Sequence, residues 1–178
     1  EVSTCLSDML RYNTRFENVT VIAKELEQIK NYVTVIKIRF EDRFEVYYDV
    51  DEECMDCQIL KFTLQPLLEN AIRYGLEESS ETCYITITSH IEGDTLILKI
   101  MNTGSSFEED FMEKLLDGEI QPHGFGIGIL NIHKRIQMTY GSEYGLQLYT
   151  IEDEDTYEEC AAAEIRIPYV QKEENEPC

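Results

Sequence analysis

Apolar residues recur at helical spacing in one stretch near the middle of the chain. Residues 64–75 read LQPLLENAIRYG, and their apolar positions are Leu64, Leu67, Leu68, Ala71 and Ile72. This i, i+3, i+4, i+7, i+8 pattern predicts a helix with one buried face. Because Pro66 is tolerated only in a first helical turn, the helix should begin close to Leu64. Gly75 is expected to end it.

The opposite side of this helix is polar and carries the first candidate chemistry. At about 100° per residue, Pro66, Asn70 and Arg73 share that side. An amide and a cation three residues apart could both reach one bound anion or its metal. The alternative is a solvated face on which Glu69 and Arg73 form an i, i+4 ion pair.

The flanking patterns predict helices first and a sheet afterwards. Residues 5–12 and 21–40 show helical periodicity, with Thr20 as the expected N-cap of the longer helix. Short β-rich or alternating runs predict strands at 44–50, 82–91, 95–101, 146–151 and 164–167. The remaining expected elements are a polar connection (51–57), a short helix (107–116), a helix running to about residue 140 and an acidic loop (152–159).

Three glycines at alternate positions, Gly124, Gly126 and Gly128, precede the last predicted helix. Glycine lets the backbone come close to a ligand, and a helix N-terminus offers free N–H groups to phosphates. The alternative is a flexible loop before a helix. The spacing does not match a Rossmann fingerprint, and no Gly-Lys-Ser/Thr follows, as a P-loop would require.

Charge and cysteine content narrow the function classes. A net charge of −21 and a pI near 4.3 disfavour nucleic acids and anionic membranes as partners, so a bound anion needs local compensation. Of six cysteines only Cys54 and Cys57 form a CxxC, which disfavours zinc and predicts free cytosolic thiols. With no apolar run near about 18 residues and no initial Met, we expect a non-membrane piece of a longer protein.

In their order, these stretches resemble the ATP-binding domain of sensor histidine kinases, within the wider family of gyrase B, Hsp90 and MutL. LLENAIRYG resembles the N box, ILKIMNTG the first glycine box and HGFGIGILNIHKRI the second. LQPLLENAI, NYVTVIKIRFEDRFEV and AAAEIRIPY are similar to the LytS/YesM branch in particular. The resemblance covers residues 6–169.

The resemblance implies site residues position by position. Asn70 would hold the Mg²⁺ that bridges the phosphates, and Arg73 would lie beside them. Asn102 stands where the family has the Asp that accepts from the adenine amino group, and Gly104 would leave room for adenine. The remaining ATP-binding residues would be Gly124, Gly126 and Gly128, which flank a lid at 107–123.

Several positions depart from the family pattern. Asn102 can still accept from the amino group but lacks the charge that strengthens such a bond. Restoring the carboxylate with Asn102→Asp should therefore tighten ATP binding. Ser106 replaces a glycine, Tyr74 replaces the His usual in this branch, and Cys160-Ala161 replaces a Gly-Thr. These departures leave open a degenerate module that acts as a non-catalytic scaffold.

For the fold, the pattern and the resemblance together imply a two-layer α/β sandwich of the Bergerat type. It would have a mixed, mostly antiparallel sheet with helices on one face, preceded by a short helical arm. The expected divisions are an arm at 1–40 (the end of an upstream dimerisation region and a linker helix), an ATP-binding kinase domain at 41–170 and a disordered tail at 171–178.

For function, the resemblance implies a cytoplasmic catalytic domain of a membrane sensor kinase. It would bind ATP and Mg²⁺ and phosphorylate a histidine in an upstream domain, and the phosphoryl group would pass to a response regulator. The intact protein would be a homodimer. No residue here is assigned as catalytic, because His90, His123 and His133 lack the context of a phosphoacceptor. An ATPase of the gyrase/Hsp90 kind is disfavoured, since Pro66 occupies the position of its water-activating carboxylate.

Overall fold

The computed structural model describes residues 2–14, 17–77, 80–120, 125–153 and 158–171, with 125 and 126 described by their backbone only. Its helices are α1 (Val2–Asn13), α2 (Ile22–Phe40), α3 (Leu64–Glu77), α4 (Phe111–Leu116) and α5 (Phe125–Tyr140). Its strands are β1 (Val19–Val21), β2 (Phe44–Val50), β3 (Gln58–Leu60), β4 (Cys83–Glu92), β5 (Thr95–Asn102), β6 (Gly145–Glu152) and β7 (Glu159–Pro168). Short 3₁₀ turns lie at Glu41–Arg43 and Glu52–Cys54.

The main sheet has the strand order β2-β4-β5-β7-β6. Strands β2 and β4 are parallel, and the other neighbours are antiparallel, with Ile87 opposite Ile100 and Ile100 opposite Ala163. Alternate residues of these strands point to one face, where Ile85, Leu98 and Ile165 are fully buried. Helices α3 and α5 pack on this face. The predicted two-layer sandwich with a mixed, mostly antiparallel sheet is confirmed.

The start of the long helix differs from the prediction. Thr20 is not an N-cap, because it lies in β1 and pairs with Ile59 of β3, a second small sheet that the sequence did not indicate. The first N–H groups of α2 instead donate to backbone carbonyls of the 51–57 connection. Ile22 N lies 3.0 Å from the Cys57 oxygen and Ala23 N lies 2.9 Å from that of Met55. The connection therefore caps the helix.

Gly75 does not end the central helix, which continues to Glu77. A Cβ at Gly75 would lie 2.2 Å from Cys83 Sγ and 3.0 Å from the Thr103 carbonyl oxygen. The glycine is thus needed for close approach of α3 to β4 and β5, not for termination.

Other boundaries also differ from the prediction. Residues 107–110 precede α4 instead of joining it, and Asp110 before the helix has φ 59°. Both ends of the predicted acidic loop belong to the β6–β7 pair, where Glu152 lies opposite Glu159. Gln171, assigned to the tail, forms a bridge with Cys57. Residues 154–157 and 172–178 lie outside the described part.

The leading helices pack against the rest of the chain. Helix α1 packs against α2, and the α2 residues Ile22, Leu26 and Ile29 are buried in the same core as the sheet. The five cysteines within the described residues are free and buried. In that part of the chain no helix has the length and apolar content to cross a membrane. The division at residue 40 stays a prediction.

His133 has a structural role in α5. Its ring is buried, and its Nδ1 accepts a hydrogen bond from Leu146 N of β6 at 3.1 Å. A Cβ at Gly145 would lie 2.8 Å from the ring, so the glycine allows this contact. Burial lowers the pKa of His133 below its usual 6.5. The neutral imidazole is therefore the form that the fold stabilises.

We expect His133 to make the stability of the fold depend on pH. Since its pKa is lower in the folded state, its contribution is fully present above about pH 6.5 and is lost as the pH falls through the folded pKa. His133→Asn keeps an acceptor for Leu146 but cannot titrate, so its unfolding midpoint should change less between pH 7 and pH 5. Gln147→Asn is the control, because Gln147 is an exposed residue beside Leu146 in β6 and neither side chain titrates, so this variant should retain the pH dependence of the starting protein. An unchanged slope in His133→Asn would contradict the assignment.

Candidate functional site

A cavity of about 210 Å³ lies between α3, the inner face of β5 and β7, the start of α5 and the segment after β5. An engineered cavity of about 150 Å³ can hold a benzene ring, so this one has room for a larger planar ring. Its polar lining residues are Asn70, Tyr74, Asn102, Ser105 and Ser106. Its apolar lining residues are Leu67, Ala71, Ile100, Phe107, Phe111, Ile129, Ala161 and Ala163.

Asn70 and Asn102 come together at this cavity although 31 intervening residues separate them in the sequence. Helix α3 buries Leu67, Leu68 and Ala71 against the sheet, which turns the neighbouring Asn70 towards the cavity. Asn70 is half-buried, and its side chain makes no hydrogen bond to any residue that the structure describes. Its amide oxygen is available to a ligand.

Arg73 lies elsewhere. Its side chain is exposed, its Nε is 3.0 Å from Glu77 Oε1, and it does not line the cavity. The ion pair with Glu69 that was the alternative for this face does not form, because Arg73 pairs with Glu77 and Glu69 accepts from Gln65 at 2.8 Å. A role of Arg73 beside phosphates stays a prediction, which would require it to leave Glu77.

Asn102 closes the base of the cavity at the end of β5, where it is buried. Its Nδ2 donates to the Thr103 carbonyl oxygen at 3.0 Å and to Ser105 Oγ at 2.8 Å. The next residue but one, Gly104, has φ +80°, a conformation that favours glycine. Gly104 shapes the turn and does not itself line the cavity.

The second glycine box differs from the predicted loop. Helix α5 begins at Phe125, so Gly126 and Gly128 are part of its first turn instead of preceding it. Gly124 lies outside the described residues. The N–H groups of this first turn have no partner within the helix and remain available in principle to an anion. Ile129, which follows, is buried and lines the cavity.

Two aromatic residues at the mouth were not singled out from the sequence. The Phe107 and Phe111 ring centroids lie 5.3 Å apart, and both rings line the cavity. Phe107 is attached to β6 through Thr150, whose hydroxyl accepts from Phe107 N at 2.8 Å and donates to Phe107 O at 2.9 Å. Their i, i+4 spacing within the predicted lid was the available signal. The start of that lid is therefore fixed to the sheet.

Comparison with known proteins identifies the family. Residues 55–169 match the model of the histidine kinase-, DNA gyrase B-, and HSP90-like ATPases, and residues 1–44 match the model named histidine kinase. The sensor histidine kinase YesM of Bacillus subtilis is 32% identical over 140 residues, covering 79% of this chain and 23% of YesM. YpdA of Escherichia coli is 35% identical over 149 residues, covering 83% of this chain and 26% of YpdA. The chain thus spans about a quarter of these relatives.

Solved structures show the same fold. The catalytic domain of the histidine kinase ThkA superposes with a TM-score of 0.59 at 18% identity, covering 86% of this chain and 99% of that one. ThkA in complex with the response regulator protein TrrA gives a TM-score of 0.55 at 16% identity, covering 95% of this chain and 47% of that one.

The matching family model and the curated relatives show that the chain belongs to the histidine kinase-, DNA gyrase B- and HSP90-like ATPase family, in its sensor histidine kinase branch.

Proposed function

We propose that this chain is the ATP-binding catalytic domain of a two-component sensor histidine kinase. The observation that carries the proposal is the meeting of Asn70 and Asn102 at one cavity. These are the residues that the resemblance assigns to the metal–phosphate end and the adenine end of ATP. In the intact protein the domain would supply the γ-phosphoryl group to an upstream histidine.

The residues present suit a magnesium ion that arrives with the nucleotide. Mg²⁺ usually keeps several waters and is bound through few protein oxygens together with substrate phosphates. The amide oxygen of Asn70, which accepts no hydrogen bond from the described residues, would be such a ligand. Bound Mg²⁺ would neutralise phosphate charge, which matters in a chain of net charge −21.

The chain's own contribution to phosphoryl transfer is positioning. Asn70 would orient the metal-bound phosphates, and Asn102 would hold the base at the other end of the cavity. Pro66, one turn before Asn70, has no group that could activate water. The phosphoryl group would then await a histidine from another domain, which is what a kinase requires.

The wider setting follows from the same assignment. We propose that the intact protein is a homodimeric membrane sensor, with this part in the cytoplasm. Its phosphoryl group would pass to a response regulator, the class of protein with which ThkA has been solved.

Calorimetric titration with a non-hydrolysable ATP analogue, with and without Mg²⁺, tests the proposal. We expect Mg²⁺ to tighten binding in the starting protein. Asn70→Ala should remove that increment, weakening binding in Mg²⁺ by about tenfold or more, equivalent to about 1.4 kcal/mol. In the longer protein containing the upstream histidine, the same change should abolish autophosphorylation.

Gln65→Ala is the matched control, because Gln65 is another amide on α3 and does not line the cavity. It should retain the Mg²⁺ effect. Equal affinity with and without Mg²⁺ in the starting protein would refute the proposed metal role, and the absence of any nucleotide binding would refute the proposed function.

A further inference from the structure

The side-chain amide of Asn102 is held in one orientation by its own loop. Both N–H bonds of its Nδ2 are used, one by the Thr103 carbonyl oxygen at 3.0 Å and one by Ser105 Oγ at 2.8 Å. A carbonyl oxygen only accepts hydrogen bonds, so the group that faces Thr103 has to be the NH₂. Rotating the amide by 180° would place Oδ1 against that oxygen, exchanging a hydrogen bond for the repulsion of two acceptors.

The loop that provides these acceptors is itself attached to the neighbouring strand. Thr103 N donates to the Tyr84 carbonyl oxygen at 3.0 Å, and Tyr84 N donates to Thr103 Oγ1 at 2.9 Å. Cys83 Sγ lies 3.4 Å from the Thr103 carbonyl oxygen. Ser105, the second acceptor, is buried. The carbonyl that orients the amide therefore has a position set by β4 and cannot easily turn away.

Only Oδ1 of Asn102 is left for a ligand. No residue in the described part of the chain donates to it, and Asn102 lines the cavity while being only 4% exposed. An amide locked this way is an acceptor without a donor. It can receive an N–H from a ring substituent but cannot satisfy a carbonyl group presented at the same place.

We propose that Ser105 is a positioning residue that, with the Thr103 carbonyl, makes Asn102 select a base bearing an exocyclic amino group over one bearing a carbonyl there. This proposal rests on the proposed function, and it adds an explanation of how the site would select the base of the nucleotide. Adenine nucleotides satisfy the acceptor, whereas hypoxanthine nucleotides oppose it with their own oxygen. A buried acceptor left unpaired in this way lowers affinity for the wrong ligand.

The two hydrogen bonds that orient the Asn102 amide also reverse the expected effect of a carboxylate at this position. Asn102→Asp has no N–H to donate. One of its carboxylate oxygens would take the place of the amide nitrogen, which now lies 3.0 Å from the Thr103 carbonyl oxygen, and the two oxygens would repel each other. The carboxylate would have to turn or the loop would have to move. The sequence led us to expect tighter ATP binding, but we now expect weaker binding. The benefit of a charged acceptor for the adenine amino group is outweighed by the loss of the hydrogen bonds that orient residue 102.

The test compares Mg²⁺ complexes of non-hydrolysable ATP and inosine triphosphate analogues, which differ at the base. The starting protein should favour the ATP analogue by about tenfold or more, and Ser105→Ala should reduce this ratio to a few-fold. Ser105→Thr keeps the hydroxyl and should restore the ratio. Asn102→Asp should bind the ATP analogue several-fold more weakly than the starting protein.

Ser89→Ala is the matched control. Ser89 is likewise a buried serine whose hydroxyl accepts one hydrogen bond, from Asp51 N at 3.0 Å, and it does not line the cavity. It should leave the ratio unchanged. Because a ratio is measured within each variant, a smaller folded fraction does not alter it.

The outcomes separate this inference from the proposed function. If the ATP analogue binds in a Mg²⁺-dependent way but the ratio is the same in Ser105→Ala as in the starting protein, the positioning role of Ser105 is refuted and the ATP-binding assignment stands. Tighter ATP binding by Asn102→Asp would refute the orientation of Asn102 by the Thr103 carbonyl, again without affecting the ATP-binding assignment. If neither analogue binds to the starting protein, both fail together.

Discussion

Replacing Glu25 by alanine is expected to lower the free energy of unfolding by about 3–5 kcal/mol, as for the loss of one partner in a buried charged network. Glu25 is 2% exposed in α2, yet its carboxylate accepts hydrogen bonds from the N-terminus of α3. Its oxygens lie 3.0 Å from Phe62 N, 3.1 Å from Thr63 N and 3.2 Å from Leu64 N, and Tyr12 OH of α1 donates to it as well.

The size of the expected effect follows from these donors. A negative charge at a helix N-terminus is favourable, and its removal leaves three backbone N–H groups without their acceptor. Burial and the neighbouring Glu25 carboxylate raise the pKa of Tyr12, so its hydroxyl remains a donor across the ordinary pH range. Chemical denaturation would measure the loss. Thermal unfolding should show a decrease of about 6–20 °C in the midpoint.

Glu27 provides the control for Glu25, since it is an exposed glutamate on the same helix. Glu27→Ala should change the free energy of unfolding by no more than about 0.5 kcal/mol. Glu25→Gln should fall between the two, because one amide oxygen still accepts while the NH₂ faces backbone donors. Equal stability of the Glu25→Ala and Glu27→Ala variants would show that the network contributes nothing.

Gly75→Ala should have the second large effect, on both stability and the cavity. The added methyl group would lie 2.2 Å from Cys83 Sγ and 3.0 Å from the Thr103 carbonyl oxygen. Such overpacking typically costs about 1–3 kcal/mol, and here it also pushes on the carbonyl that orients Asn102. Denaturant unfolding and nucleotide titration should both detect the change.

A double-mutant cycle with Cys83→Ala distinguishes this steric cause from a general effect of alanine. Removing the sulfur should offset part of the loss, so the double variant should be more stable than the two single changes predict. Gly128→Ala is the contrasting helical glycine, because a Cβ added there would have nothing within 4 Å of it. That variant should be as stable as the starting protein or up to about 1 kcal/mol more stable. Simple additivity in the Cys83 cycle would contradict the steric account.

The elements that carry strong periodicity could be predicted from the sequence. The Leu64, Leu67, Leu68 pattern predicted α3, and strand β2 was predicted with the bounds that the structure has. Strands β1 and β3 are three residues each, too short to show a period of two. The prediction for Gly75 was wrong because the same residue type serves helix ends and close packing, and the chain alone does not reveal which neighbour approaches.

The sequence predicted which asparagines line the candidate site, but not how the side chains there are oriented. Motif order brought out Asn70 and Asn102, and both line the cavity. Arg73 has a glutamate four residues away on each side, and the spacing alone does not indicate that it pairs with Glu77 while Glu69 accepts from Gln65. The orientation of the Asn102 side chain depends on the Thr103 backbone carbonyl, and the residue types in the sequence do not indicate where that carbonyl points. Glu25 did leave a signal, since it shares the i, i+3, i+4, i+7 stripe of Ile22, Leu26 and Ile29.

The contacts of Glu25 have a consequence for building chimeric proteins from this chain. Tyr12 donates to Glu25, Lys61 Nζ lies 2.7 Å from the Tyr12 carbonyl oxygen, and Arg135 of α5 donates to the Lys61 carbonyl oxygen at 2.7 Å. Helices α1, α2 and α5 are thus linked in series through buried and partly buried polar groups. A graft that joins a foreign input segment at residue 40 separates Glu25 from the helix it caps. A junction placed before α1 transfers the whole chain of contacts intact.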